Sequence, residues 1–377
     1  MNGPLDSTMR EAMRLMRTGD LRAATVAIQQ RLGGAFEFES PRAATSTTDL
    51  VEGTFRVVDE AAPPTQDATF ESLRGRTPDA RDRARFSEHA YTGSAGSRRY
   101  KLFVPSAFRG QPLPLVVMLH GCTQTPDDFA TGTRMNVLAE ERGCFVAYPA
   151  QSQKANISKC WNWFKASDQG RDRGEPAIIA GLVRELSLTY GLDQERVYVA
   201  GLSAGGAMAV ILGTTYPEMF AAVGVHSGLP YGVAHDLPSA FAAAHRPGTT
   251  DPRGSLESAQ AWRSGVPAIV FHGDRDRTVH PGNGERVASE TAAASAGESG
   301  RESLASMESR TGEAPGGYSY TCTLFKDDNE RIVVEHWLVH GAAHAWLGGD
   351  PSGSFTDSNG PDATGEMMRF FLERKRG

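Results

Sequence analysis

What the chain does not contain narrows its class first. Its 377 residues hold only four cysteines, Cys122, Cys144, Cys160 and Cys322. Their spacings fit no C-x2-C zinc pattern, and they are too few for a scaffold built on disulfides. They read first as small buried apolar residues, with a Cys122–Cys160 bridge as the alternative in an oxidising compartment. An excess of positive charge is also missing. The net charge of −6 gives no basic footprint, which argues against a nucleic-acid partner and, more weakly, against a polyanionic substrate. No run approaches the roughly 18 apolar residues of a membrane span. The N-terminal stretch lacks the basic start, apolar core and small-residue cleavage site of a secretion signal, so the expected location is the cytoplasm, with export as the alternative. There is no internal repeat.

What is present is an ordinary globular balance, 40% hydrophobic and 22% charged residues, at a length that suits one large domain with an appendage. Residues 1–33 carry two short helical patterns. Met9, Met13 and Met16 lie at helical spacing, and Asp20 is an N-cap for a second segment from Leu21 to Leu32. This helical hairpin needs a partner for its apolar faces: the main domain, a second copy, or a hydrophobic surface. Residues 34–88 lack periodicity and read as an irregular linker.

From His89 to the end, residues 89–377, strands alternate with helices. Strands are expected at Arg99–Val104, Leu115–Leu119, Cys144–Tyr148, Val197–Ala200, Ala221–His226 and Ala268–Phe271. Helices are expected at Glu175–Tyr190, stopped by Gly191, and at Ala204–Tyr216. Residues 288–317 read as a helix followed by a surface loop. A hairpin pairs Tyr318–Phe325 with Ile332–Val339, and Gly365–Lys375 closes the chain as a helix. The alternation predicts an α/β fold, a mostly parallel sheet with helices on both faces.

Within this frame, Gly201-Leu202-Ser203-Ala204-Gly205 matches G-x-S-x-G between an apolar strand and a helix, the setting of a nucleophile elbow. A serine hydroxyl needs a base, and the base an orienting carboxylate, here sought in the order Ser, acid, His. Asp276, in His272-Gly273-Asp274-Arg275-Asp276, is the preferred acid, with Asp274 the competitor. His344, beyond the glycine turn at Gly341, is the preferred base over His280, His336 and His340. Backbone amides of Ala204 and of Cys122, in Leu119-His120-Gly121-Cys122-Thr123-Gln124, are the expected oxyanion donors. Trp346 is read as a substrate contact. In Cys160-Trp161-Asn162-Trp163-Phe164, Trp161 and Trp163 read either as core packing or, with Gln124, as further substrate contacts.

Taken in their order along the chain, from Leu119 to Trp346, these five segments resemble the poly(3-hydroxybutyrate) depolymerase family of esterases, itself related to feruloyl and acetylxylan esterases. The resemblance covers roughly residues 90–377. It implies an α/β-hydrolase catalytic domain, a triad of Ser203, Asp276 and His344, an oxyanion donor at Cys122 and no cofactor or metal. The expected activity is hydrolysis of a polyester or its oligomers through an acyl-enzyme. Feruloyl, acetyl or other short-chain esters are the alternative substrates. A granule-binding role is the alternative outside enzymology, and a serine peptidase is disfavoured.

Overall fold

The computed structural model describes residues 84–246, 265–295 and 307–376. The expected N-terminal hairpin and most of the expected linker lie outside the described residues.

The strands are β1 (Arg85–Gly93), β2 (Gly96–Val104), β3 (Leu115–Leu119), β4 (Phe145–Pro149), β5 (Val197–Leu202), β6 (Ala222–His226), β7 (Ala268–Gly273), β8 (Met307–Glu313), β9 (Ser319–Lys326) and β10 (Ile332–Val339). They form one sheet in the order β1-β2-β4-β3-β5-β6-β7-β10-β9-β8. Its centre, β4-β3-β5-β6-β7-β10, is parallel, and both margins are antiparallel. Every residue of β3, β4, β5, β6 and β7 is buried, as apolar strands covered on both faces should be.

Helices cover the two faces. On one lie α3 (Gly174–Tyr190), α4 (Ala204–Thr215) and α6 (Gly282–Ser295), which bury Leu182, Met208, Ile211 and Val287. On the other lie α1 (Pro126–Thr133), α2 (Met135–Arg142) and α7 (Ala363–Leu372), which bury Phe129, Met135, Met367 and Phe371. A further helix, α5 (Leu237–His245), starts at a capping box on Asp236 and Ser239. Helix α3 ends at Gly191, whose φ of 62° supplies the left-handed cap.

Two strands appear where the sequence reads otherwise. Strand β1 begins at Arg85, inside the stretch read as linker, and β8 occupies part of the expected surface loop. Both are antiparallel strands at a sheet margin. Charged residues in β1 and the solvent-facing composition of β8 hide their period. The 288–317 segment is therefore a helix followed, after undescribed residues, by a strand. Among the described residues, no helix is long and apolar enough to cross a membrane.

The parallel centre sets where chemistry is available. The loops that leave the carboxyl ends of β3, β5, β7 and β10 gather along one edge of the sheet, the edge where open α/β sheets present their functional residues.

Candidate active site

Ser203 sits in the turn between β5 and α4 with φ 58° and ψ −120°. That is a strained setting for a residue with a side chain, and it is sustained by its surroundings. The Ser203 amide donates to the His226 carbonyl at 2.8 Å, and the Ser203 carbonyl accepts the Ala207 amide at 2.9 Å. The turn has no room for larger neighbours. A β-carbon on Gly205 would lie 2.0 Å from the Leu119 carbonyl oxygen, and one on Gly201 2.3 Å from the backbone of Gly205. The small residues of G-x-S-x-G are thus dictated by backbone contact with the end of β3.

The loop after β7 presents Asp276, buried but fully bonded. Its Oδ1 accepts the amides of Thr278 and Val279, each at 2.9 Å. Its Oδ2 accepts a hydrogen bond from His344 Nδ1 at 2.6 Å. His272 Nε2 lies 3.4 Å from the same oxygen and donates to the Val279 carbonyl at 2.8 Å. Burial acts to raise the Asp276 pKa, but the imidazoles of His272 and His344 outweigh it and hold the carboxyl below the usual carboxylate range. The loop carrying His344 is pressed against this one: a β-carbon on Gly273 would meet the Ala342 carbonyl at 2.3 Å.

With Nδ1 committed to Asp276, Nε2 is the basic nitrogen of neutral His344. The competing acid, Asp274, is occupied elsewhere. It accepts the Gly341 amide at 2.7 Å and pairs with His340 Nδ1 at 3.1 Å. Asp274 therefore fastens the glycine turn that leads to His344, and Asp276 is the carboxylate that meets His344. His340 Nε2 is bonded in turn to Thr321 Oγ1 at 3.0 Å.

Of the other histidines weighed as the base, His340 is paired with Asp274, His280 is exposed beside the start of α6 and His336 is buried, as are His226 and His120. His336 is buried, which pushes its pKa down to about 4. His226 is driven well below its ordinary value by burial and by its histidine neighbours, and its Nε2 accepts the Leu347 amide at 3.1 Å. His120 is lowered to about 4, chiefly by burial; its Nε2 accepts the Gln151 amide at 3.0 Å, so its Nδ1 donates to the Gly121 carbonyl at 2.7 Å. All three are neutral structural imidazoles at neutral pH.

After β3, the amides on either side of Cys122 are engaged. Gly121 N–H donates to Gln124 Oε1 at 2.9 Å and Thr123 N–H to the Ser158 carbonyl at 2.7 Å. Among the described residues, the amides of Cys122 and Ala204 donate to no protein acceptor. Ala204 is the first residue of α4, so its amide also lies at the positive end of a helix dipole.

Several readings are corrected here. Cys122 and Cys160 form a disulfide and are not separate apolar fillers; Cys144 and Cys322 are free and buried. Trp346 is fully buried, stacked on His226 and bonded through Nε1 to Thr364 Oγ1 at 2.9 Å, so it packs the core and does not meet substrate. Trp161 is fully buried, with Nε1 donating to the His120 carbonyl at 3.1 Å. Trp163 is buried edge-on against Phe164. Gln124 is buried too, with Nε2 donating to Asp128 Oδ2 and the Ser354 carbonyl, each at 2.9 Å. The polar ends of Trp161, Trp346 and Gln124 are thus spent joining segments distant in the chain.

The sequence reading missed the polar cluster beneath those loops. Glu175, at the start of α3, accepts Asn162 N–H at 2.7 Å and Asn162 Nδ2 at 2.9 Å. It also pairs with Arg98 Nη2 at 3.5 Å and is bonded by Gln151, which Arg98 bonds in turn. Burial raises the Glu175 pKa against these partners and lowers that of Arg98. Only Asn162 lay in a quoted motif; the others come from a strand, a loop and a helix with no local signal. Among the described residues, no cluster of three or more His, Cys, Asp or Glu side chains could hold a metal ion.

Known proteins similar to this chain are esterases and depolymerases. The chain is 32% identical to poly(3-hydroxyalkanoate) depolymerase C of Paucimonas lemoignei over 237 residues, covering 61% of this chain and 54% of that protein. It is 31% identical to poly(3-hydroxybutyrate) depolymerase of Ralstonia pickettii over 271 residues, covering 66% and 51%. Feruloyl esterase B of Neurospora crassa is 30% identical over 196 residues, covering 48% of this chain and 65% of that protein. The chain spans about half the length of the two depolymerases it matches. In fold it is similar to acetyl xylan esterase from Aspergillus awamori, with a TM-score of 0.56 at 23% identity, covering 68% of this chain and 94% of that one. Residues 98–297, more than half of the chain, match the family model described as esterase PHB depolymerase. With the sheet, the elbow and the loops after β7 and β10 in place, the chain belongs to the PHB depolymerase family of esterases and has the α/β-hydrolase fold.

Proposed function

We propose that the protein is a serine carboxylic ester hydrolase that cleaves poly(3-hydroxybutyrate)-type polyesters or their oligomers through an acyl-enzyme. The observation that carries this reading is the 2.6 Å bond from His344 Nδ1 to Asp276, together with a serine held in a strained elbow at the head of α4. His344 Nε2 takes the proton of Ser203 Oγ as the oxygen attacks the ester carbonyl. The carbonyl oxygen becomes an oxyanion, and the amides of Cys122 and Ala204 stabilise it. The tetrahedral intermediate collapses as His344 returns the proton to the departing alkoxide, which leaves as the alcohol. Water, deprotonated by the same nitrogen, then attacks the acyl-enzyme; the free acid departs and Ser203 regains its proton. Asp276 remains ionised and holds the imidazole tautomer throughout.

The similarity to two depolymerases supports the polyester substrate, and the similarity to feruloyl esterase B motivates the alternative of feruloyl, acetyl or other short-chain esters. The Cys122–Cys160 bridge supports an exported protein over the cytoplasmic one expected from the sequence, since such bonds persist in oxidising compartments. Granule association or self-association through residues 1–33 is a further proposal, tested by deleting them and following partition onto polymer granules.

The deciding experiment compares wild type with Ser203→Ala on p-nitrophenyl butyrate and on amorphous poly(3-hydroxybutyrate), following release of 3-hydroxybutyrate. Wild type is expected to cleave both, and the variant to lose several orders of magnitude in kcat on each. Cleavage of the small ester alone transfers the reading to a short-chain or feruloyl esterase. Full activity in the variant removes Ser203 as the nucleophile.

A further inference from the structure

The side chains that the sequence offers as substrate contacts are buried, so the apolar surface beside the site must come from other residues. Among the described residues, six large apolar side chains are exposed: Val137, Ile157, Leu188, Leu237, Met307 and Phe355. Two of these adjoin the oxyanion loop. Ile157, 54% exposed, precedes Ser158, whose carbonyl accepts the Thr123 amide at 2.7 Å. Phe355, 45% exposed, follows Ser354, whose carbonyl accepts Gln124 Nε2 at 2.9 Å. Thr123 and Gln124 are the two residues after Cys122. Phe355 is tied to the base loop as well. Its carbonyl accepts the amide of Trp346, two residues beyond His344, at 2.7 Å.

The backbone of Phe355 sharpens the argument. Its φ is 53°, in the left-handed region where a β-carbon crowds the chain and where glycine or asparagine is at ease. Its neighbours hold it there. Ser354 N–H donates to Asp128 Oδ1 at 2.8 Å, and Thr356 Oγ1 donates to the Gly353 carbonyl at 2.8 Å. A turn needed only for folding would be better served by a small residue. Here a strained, well-anchored backbone holds an aromatic ring half in water, and such strain is characteristic of functional positions.

We propose that Ile157 and Phe355 are specificity-determining residues that contact the apolar hydroxyacyl units flanking the scissile ester of a polyester chain. The inference rests on the polyester reading above and adds the residues that distinguish polymer from small ester. A short acyl ester is accommodated at Ser203 and its oxyanion donors alone. A polymer continues beyond the reacting carbonyl in both directions and must pass over the loops that carry these donors. Its repeating units are uncharged and methyl-bearing, which suits isolated apolar side chains standing in water.

The test uses the full chain with Ile157→Ser, Phe355→Asn and the double variant. Each is assayed on amorphous poly(3-hydroxybutyrate) and on p-nitrophenyl acetate, with the thermal unfolding midpoint recorded. In the double variant the polymer-to-acetate rate ratio is expected to fall by about tenfold or more, the scale of losing two partly buried apolar contacts. Phe355→Asn is expected to keep or raise the unfolding midpoint, because asparagine tolerates the left-handed backbone. A ratio within about twofold of wild type in both single variants and the double variant overturns the inference while leaving the esterase reading intact. Wild type that cleaves the acetate ester but releases no 3-hydroxybutyrate overturns the polyester reading, and the inference falls with it.

Discussion

His272 and His344 converge on one atom. Asp276 Oδ2 lies 2.6 Å from His344 Nδ1 and 3.4 Å from His272 Nε2, while Oδ1 is taken by two backbone amides. The carboxylate is therefore fixed in position and orientation before any substrate arrives, and each neighbouring aspartate has a distinguishable task.

Asp276→Asn should lower kcat by roughly 10³–10⁴, since an amide can donate to Nδ1 and impose the wrong imidazole tautomer. Asp274→Asn alters only the fastening of the glycine turn and should cost about tenfold or less. Steady-state kinetics on p-nitrophenyl butyrate separates the two, and an equal loss in both variants would show that the acid has been assigned to the wrong loop.

Breaking the Cys122–Cys160 bridge should act on the oxyanion donor. The bridge, the bond from Thr123 N–H to Ser158 and the bond from Trp161 to His120 hold the loop around the Cys122 amide. Loss of one oxyanion donor outright costs about 10²–10³ in kcat, so a loosened one should cost about 10–100-fold with little change in KM. The bridge spans a sequence separation of 38, and its loss should also lower stability by about 4 kcal/mol in the chain-entropy account. Kinetics and urea unfolding with and without a phosphine reductant check both; a reduced enzyme with wild-type kcat would contradict the first.

Glu175→Ala should destabilise the fold by about 3–5 kcal/mol, because it leaves the buried Arg98 guanidinium without its countercharge. The double variant Arg98→Met with Glu175→Leu should recover much of that loss. Chemical denaturation of wild type, Arg98→Met, Glu175→Leu and their double variant forms the cycle, and additive losses in the double variant would show that the two charges do not interact.

Stability should fall as pH drops from about 6.5 toward 4. Burial lowers the folded-state pKa of His120 and His336 to about 4, and that of His226 well below its ordinary value. Below about pH 6.5 the unfolded chain takes up protons that these folded imidazoles refuse. The unfolded state then binds more protons, so stability rises with pH in this window, by up to roughly 1.4 kcal/mol per pH unit for each histidine. Asp276 adds a loss at lower pH, where the unfolded carboxylate is protonated first. Urea midpoints at pH 7, 6 and 5 test this; a flat series would mean that these imidazoles are not held neutral.

The sequence shows most clearly what burial makes uniform. Leu115–Leu119 and Val197–Ala200 read as parallel strands because both faces are covered and every position is apolar. The candidate triad was sought by position: Ser203, Asp276 and His344 stand in the loops that follow β5, β7 and β10. The marginal strands were not, because β1 and β8 carry charged residues on their open sides. The tryptophans failed differently. Trp161 and Trp346 are apolar bodies with one donor, and nothing in the chain says whether that donor meets a ligand or a carbonyl across the fold. Here both donors are spent internally, on His120 and Thr364. The contact between Glu175 and Arg98 spans most of a domain half and leaves no local trace.

The sheet margins have a consequence beyond this molecule. Strand β8 reads Met-Glu-Ser-Arg-Thr-Gly-Glu and is largely exposed, and β1 opposite it carries Arg85 and Glu88. A strand from another molecule seeking to extend this ten-stranded ladder would meet alternating charges that it would have to strip of water. On the proposed polyester substrate, where copies of the enzyme would share one surface, margins of this kind disfavour strand-to-strand joining between them.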